Sequence, residues 1–377
     1  MPGGFCIFRE TPMSDDRKPH PLAERRVVYA MPGMDAVGIR RDERYRMTDA
    51  GDLTMDIYYP PGSSGAEPVP AVLFLTGFPD VGAERMFGAK FKDMGSFVSW
   101  ARLAAVSGVA AITYANSDPA DVDDVLRHIH QKGASLGIDS ARLGVWSCSG
   151  HAPNALAVLM RHGRAGLRCA ALAYPYTLDF GESTRVAAAA KQFGFVTPAR
   201  AASMHSLPRE LPLLVARAGR DDMPGLNEAL DRFVVEALAL NLPLTLVNQP
   251  DAPHAFDLFD EGTASRQVVR QILAFLQCHL LSCDHRSEPR AIRSRRGHDR
   301  LAARFGPCRS LAGDARSHGR SSHRCRGRAR ARREGGPRRR DSRPAGNRRR
   351  VAPRGRARLA ADALHDAAPA RDRRRPR

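Results

Sequence analysis

The chain has 377 residues and a formal net charge of +19, from 59 Lys+Arg against 40 Asp+Glu, a balance that first suggests a nucleic-acid partner. Position along the chain changes that reading: residues 284–377 hold 31 Arg, no Lys and 9 acidic residues, a net of +22, which leaves residues 1–283 at −3. The lack of any run of about 18 apolar residues argues against a spanning helix, and seven scattered cysteines without CxxC pairs argue against a zinc site or a secreted disulfide framework.

Residues 1–25 are polar, with Pro and Gly at intervals, and contain no apolar stretch of signal-peptide length. They read as a loose extension in which Met13 is a second candidate start, and a cytoplasmic location is expected. Short apolar runs at 27–30, 43–47 and 53–59 read as opening strands, and the Pro/Gly/Ser cluster at 60–65 as a break. The continuous apolar run 70–75 is what a strand covered on both faces needs. A helix is predicted over 96–106 and a strand over 109–114; Val122, Val125, Leu126, Ile129 and Leu136 then mark one face of a helix over 121–137. Strand 142–146, helix 153–161, strand 169–174, helix 183–194, strand 211–216, helix 224–240, strand 243–247 and helix 265–281 complete the series. This alternation predicts an α/β domain over 26–283, a mostly parallel, doubly wound sheet with helices on both faces.

Residues 284–377 lack Trp, Tyr, Met and Lys and repeat Arg, Ala, Gly, Pro and Ser without period. Such a composition cannot bury enough apolar surface to offset backbone ordering, and predicts disorder. Arg, Ala, Gly and Pro share GC-rich codons, so a reading-frame shift in a GC-rich gene is one origin of this tail and a natural basic tail the other. Either tail would bind anions nonspecifically, and no specific nucleic-acid partner is expected from it.

The chemistry concentrates at Ser147-Cys148-Ser149-Gly150-His151, where an apolar strand passes through small residues directly into a helical pattern. A nucleophile on such a strained turn needs small residues two positions before and after it. Ser149 has Ser147 and His151 at those positions, whereas Cys148 has bulky Trp146 and Gly150. Ser149 fits best, with His151 as the departure, and Cys148 stands as the alternative nucleophile. His151 also reads as a pocket-lining candidate or a backbone-satisfied helix start, Trp146 as core, and His128 and His130 as surface residues.

The motif resembles the relaxed G-x-S-x-G of the α/β-hydrolase superfamily and, within it, dienelactone-hydrolase-like and serine esterases. Dienelactone hydrolases proper carry a cysteine nucleophile, one place out of register with Cys148. The resemblance implies the order nucleophile, acid, base, each after a strand. Gly219-Arg220-Asp221-Asp222 resembles the acid loop, with Asp221 favoured and Asp222 the alternative, and Pro250-Asp251-Ala252-Pro253-His254-Ala255-Phe256 resembles the segment carrying the base, His254. Thr76-Gly77-Phe78-Pro79 resembles an H-G-F-P turn, which implies oxyanion donors at the Phe78 and Gly150 N–H groups. The function implied is hydrolysis of an ester or related acyl bond in a small to medium substrate, without metal, cofactor or membrane. An inactive hydrolase fold used as a binding module is the alternative that His151 suggests. Tyr174 and Tyr176 are expected to shape the pocket, and the connection 175–210 to supply at most a short flap rather than a large cap domain.

Overall fold

The computed structural model describes residues 20–282, apart from 64–66, 164–165 and 200–201. The extension before residue 20, the tail 284–377 and Cys6, Cys283, Cys308 and Cys325 lie outside the described residues.

A hairpin opens the sheet: β1 (Gly38–Thr48) pairs antiparallel with β2 (Gly51–Tyr59) across a two-residue turn, Thr48 facing Gly51. β3 (Val69–Phe74), β4 (Ala110–Tyr114), β5 (Ile138–Cys148), β6 (Leu167–Ala173), β7 (Leu213–Ala218) and β8 (Leu244–Gln249) run parallel to one another. The eight strands lie in the order β1-β2-β4-β3-β5-β6-β7-β8, with β2 antiparallel to β4. An eight-stranded, mostly parallel sheet in this order, antiparallel only at β2, is the α/β-hydrolase fold.

The helices sort by the face they cover. α4 (Val122–Lys132), α5 (Ala152–His162), α6 (Arg185–Phe193) and α7 (Leu226–Ala239) pack on one face through Leu, Val and Ala. α3 (Gly95–Val106) and α9 (Thr263–Leu281) cover the other. On β3, Ala71, Leu73 and Leu75 enter the first core while Val72 and Phe74 enter the second, which is why both alternate positions of that run are apolar. The second core is the aromatic one: Phe74, Phe97, Trp100 and Trp146 stack there, with Trp100 and Trp146 centroids 5.0 Å apart. Each such ring pair adds roughly 0.5–1.5 kcal/mol beyond its buried area.

Four elements differ from expectation. Residues 20–25, expected as part of a loose extension, carry the helix Pro21–Glu24, with Ala23 buried and the His20 N–H donating to the Phe87 carbonyl at 3.0 Å. Residues 27–30 form no strand: the Val27 N–H donates to Ser99 Oγ at 3.0 Å and the Val28 N–H to the Asp257 carbonyl at 2.8 Å, so the segment is tied across α3 rather than into the sheet. A helix absent from the expected series, α2 (Asp80–Phe87), follows the 76–79 turn; Asp-Val-Gly-Ala-Glu-Arg-Met-Phe is short and mostly polar, and its face is defined only by what it covers. A second, α8 (Phe256–Phe259), is a single turn too short to show periodicity. Elsewhere boundaries shift by a few residues, and the 121–137 helix ends as α4 at Lys132 and continues as a 3₁₀ turn, Gly133–Leu136.

Parallel strands put all their C-terminal loops at one sheet edge, so the ends of β3, β5, β7 and β8 converge. The loops after β7 and β8 meet at Gly219, whose N–H donates to the Gln249 carbonyl at 2.8 Å. A Cβ at position 219 would run into the Pro250 backbone, an approach only glycine permits. Gly219→Ala is therefore expected to destabilise the protein by about 1–3 kcal/mol, read as a lower urea midpoint at unchanged slope.

Candidate active site

β5 delivers its last residues into a turn that the backbone resists. Ser149 has φ 46°, in the left-handed region that a side chain disfavours. A 3₁₀ turn over Ser149–His151 then leads into α5, whose Pro153 sits in the first turn, where its missing N–H costs nothing. The strained turn is held from outside by the Tyr176 N–H, which donates to the Ser149 carbonyl at 3.1 Å.

Ser149 Oγ lies 2.9 Å from His254 Nε2, and His254 Nδ1 lies 2.7 Å from Asp221 Oδ2. The Asp221 side chain is fully buried and its other oxygen accepts the Met223 N–H at 3.0 Å. With a carboxylate at Nδ1, the imidazole carries its proton there and leaves Nε2 as acceptor for the serine hydroxyl. The structure thus brings Ser149, His254 and Asp221 into one relay, and leaves Asp222 exposed, outside it. Ala255, φ 51°, completes the sharp turn by which the chain leaves His254 for α8.

Facing this relay is the turn 76–79. Its Gly77 approaches the elbow so closely that a Cβ there would lie 2.6 Å from the Gly150 carbonyl oxygen and 2.8 Å from His151 Cα. The larger residue at position 151 is accommodated because the glycine stands on the opposing loop. The His151 ring turns among Phe78, Phe91 and Phe97, with centroids 4.8, 4.7 and 5.6 Å away. Its Nδ1 accepts the Gly77 N–H at 3.0 Å. Burial pushes the imidazole down to about 3, so it stays a neutral acceptor. With Gly77 engaged, the N–H groups of Phe78, on the facing turn, and of Gly150, next to Ser149, meet no acceptor among the described residues.

Side chains that motif reading does not reach fix the same turn. Asn116 Nδ2 donates to Thr76 Oγ1 at 2.7 Å and to the Phe78 carbonyl at 3.2 Å, and Asn154 Nδ2 donates to the Thr76 carbonyl at 2.8 Å. Asp80 accepts the N–H groups of Asn116 and Phe91 at 2.9 and 3.1 Å; burial outweighs these bonds and raises its carboxyl to about 6. Asn116 and Asn154 lie 38 to 78 residues from the turn residues they hold, so no local pattern announces them.

A cavity of about 160 Å³ opens beside Ser149 and His254. His151 lines it, as does Trp146, which is both core and cavity wall. Tyr174 lines it too, held by its hydroxyl's bond to Asp257 Oδ1 at 2.7 Å, with its ring against His254 at 4.9 Å. Tyr176 does not: it is buried behind the elbow, its hydroxyl donating to the Pro224 carbonyl at 3.1 Å and its ring stacked on Phe195 at 5.0 Å. The cavity's outer wall also departs from expectation, coming from α1 (Pro21–Glu24), α2 and the Phe91–Met94 stretch rather than from the 175–210 connection. That connection instead braces the 76–79 turn, through the Val196 N–H to the Gly77 carbonyl at 2.9 Å and Phe195 against Phe78. His130 is exposed, as expected, whereas His128 is partly buried with Nε2 3.3 Å from Glu43 Oε1.

No protein-family model and no curated protein sequence matches this chain. Among solved structures it is similar to a thermostable esterase from Pseudomonas putida, with 19% identity over 66% of this chain and 84% of that one at a TM-score of 0.47. A variant of an alpha/beta hydrolase enzyme from the metagenome of Lake Arreo has 21% identity over 66% and 87%, TM-score 0.48. A thermophilic esterase from Thermogutta terrifontis has 17% identity over 68% and 97%, TM-score 0.48. Among the described residues, no helix is long and apolar enough to cross a membrane.

The buried neutral His151 makes an acid-sensitive contribution to stability. Its folded value of about 3 lies below the ordinary 6.5, so the contribution is complete above about pH 6.5 and is lost as the pH falls towards 3. His151→Gln keeps an acceptor for Gly77 but cannot titrate. Between pH 7 and pH 4 the wild type is expected to lose about 3 kcal/mol more stability than the variant, read from urea midpoints; parallel pH profiles would refute this.

Proposed function

We propose that the protein is a serine hydrolase acting on carboxylic esters through an acyl-enzyme. The observation that carries this reading is the relay itself, Ser149 Oγ to His254 Nε2 at 2.9 Å and His254 Nδ1 to Asp221 Oδ2 at 2.7 Å. A serine hydroxyl is a weak nucleophile at neutral pH and needs a base within hydrogen-bond reach. His254 takes the proton as Ser149 attacks the carbonyl carbon, and Asp221 stabilises the imidazolium and holds its tautomer. The oxyanion that develops is met by the N–H groups of Phe78 and Gly150, fixed in place before reaction and so costing no reorganisation. Collapse expels the alcohol, protonated by His254. Water then attacks the acyl-enzyme with His254 as base, releasing the acid and restoring Ser149.

A thiol nucleophile at Cys148, as in dienelactone hydrolases, is less well supported. Burial pushes the Cys148 thiol well up, and the residue facing His254 Nε2 is Ser149. The serine-esterase branch of the resemblance is therefore the better match. Use as an inactive binding module also loses its motive, since His151 is accommodated at the turn without disturbing the Ser149–His254 contact.

A fluorophosphonate probe is expected to label the wild-type protein and not Ser149→Ala; equal labelling of both, or labelling lost only in Cys148→Ala, would sink the assignment. Asp221→Asn is expected to lower kcat about 10⁴-fold by leaving the wrong tautomer, while Asp222→Asn turns over esters as the wild type does. A comparable loss in Asp222→Asn would move the acid to that residue.

A further inference from the structure

We infer that the cavity beside Ser149 selects esters carrying one compact, uncharged apolar group of about the size of a single ring, and turns away long acyl or alkyl chains and cationic alcohols. The inference rests on the ester-hydrolase reading above and adds the substrate class.

Size is the first argument. The cavity measures about 160 Å³, and an apolar protein cavity of about 150 Å³ holds one benzene. The second is the wall. Phe78 and Phe91 pack at 5.7 Å, Phe91 and Phe97 at 5.7 Å, Phe97 and Trp146 at 6.2 Å, and Trp146 and Trp100 at 5.0 Å, so the rings form one continuous surface leading away from Ser149. Four of these five aromatic side chains are almost wholly buried, and each packs against its ring neighbours in the second core. A surface so packed accepts a matching group and resists a longer one, because enlarging it means disturbing the aromatic core of the domain.

Charge is the third. One carboxylate, Asp257, lies in the wall, and an aromatic box with a carboxylate would ordinarily suit a quaternary ammonium. Here both oxygens are already engaged: Oδ2 accepts Trp100 Nε1–H and Oδ1 the Tyr174 hydroxyl, each at 2.7 Å. Asp257 is 1% exposed and burial raises its carboxyl, which favours the neutral form. Its work is to hold two wall residues, Trp100 and Tyr174, in position. It offers a cation only oxygens that each already accept a hydrogen bond.

Methyl esters of unbranched acids, assayed titrimetrically so that no aromatic leaving group intervenes, read the size limit. From acetate to hexanoate kcat/KM is expected to rise, by up to about fourfold per methylene buried, and then to fall at least about tenfold by decanoate as the chain outgrows the cavity. Methyl phenylacetate and benzyl acetate, compared with methyl acetate, tell whether the ring belongs on the acid or the alcohol side; a gain in neither overturns the inference. The neutral 3,3-dimethylbutyl acetate is expected to exceed acetylcholine, its cationic isostere, and the reverse order overturns the inference. Met86→Ala, which removes part of the outer wall, is expected to raise the decanoate-to-butanoate ratio. Calorimetry on Ser149→Ala separates the two levels of the reading, because binding there does not depend on turnover. Wild-type protein that hydrolyses none of these esters would overturn the hydrolase reading. A Ser149→Ala protein that takes up methyl decanoate as well as it does benzyl acetate would overturn the inference about the cavity.

Discussion

The left-handed turn at Ser149 is the constraint on which the rest of the site depends. A side chain at φ 46° is unfavourable by itself and persists only where its surroundings over-determine it. Three supports converge there. β5 is paired on both sides up to the turn, by β3 and by β6. The Tyr176 N–H takes up the Ser149 carbonyl at 3.1 Å. The facing 76–79 turn leaves no room for the elbow to relax, since position 77 can carry no side chain. The result is a hydroxyl lifted off the strand towards His254 and, at the next residue, a backbone N–H that no secondary structure claims.

The departure at position 151 shows how such a constraint can be met by a different residue set. Where a small residue would merely avoid a clash, His151 occupies the space and accepts the Gly77 N–H at 3.0 Å. The crowding is transferred to Gly77, and the imidazole becomes a structural acceptor at the price of remaining neutral. Asn116, Asn154 and Tyr114 complete the hold on the same turn, the Tyr114 hydroxyl accepting the Thr76 N–H at 3.3 Å. This polar ring does for the 76–79 turn what β-pairing does for the elbow. It satisfies buried backbone groups that would each cost about 1–3 kcal/mol unpaired.

The two faces of the sheet are built from different material, and the site uses the difference. The face under α4, α5 and α7 is mainly aliphatic. The face under α3 and α9 is richer in aromatic rings, and several of them line the cavity beside Ser149. Packed rings, a neutral imidazole and a carboxyl held by two donors line that cavity.

Apolar runs of period 2 or 3.6 were enough to specify the parallel α/β architecture, and it was the resemblance of three short segments to α/β-hydrolase motifs that singled out Ser149, His254 and the Asp221–Asp222 pair, each following a strand, with parallel strands all ending at one edge. Local pattern could not go further where the deciding forces are not local. Asp221 and Asp222 are chemically equivalent in sequence; only the approach of the β7 and β8 loops at Gly219 directs the first at His254 and leaves the second in solvent. Tyr174 and Tyr176 both follow β6, and the left-handed backbone of Tyr174, φ 35°, turns it to the cavity while Tyr176 goes behind the elbow. α2 has too weak a pattern to be read before the aromatic face it covers is known. Asn116, Asn154 and Asp257 carry no motif, since a hydrogen bond between distant elements leaves no period along the chain. Periodicity and motif order thus settle which loops meet, and packing across the sheet settles which atoms of those loops face one another, because side-chain direction at a loop depends on neighbours that sequence distance conceals.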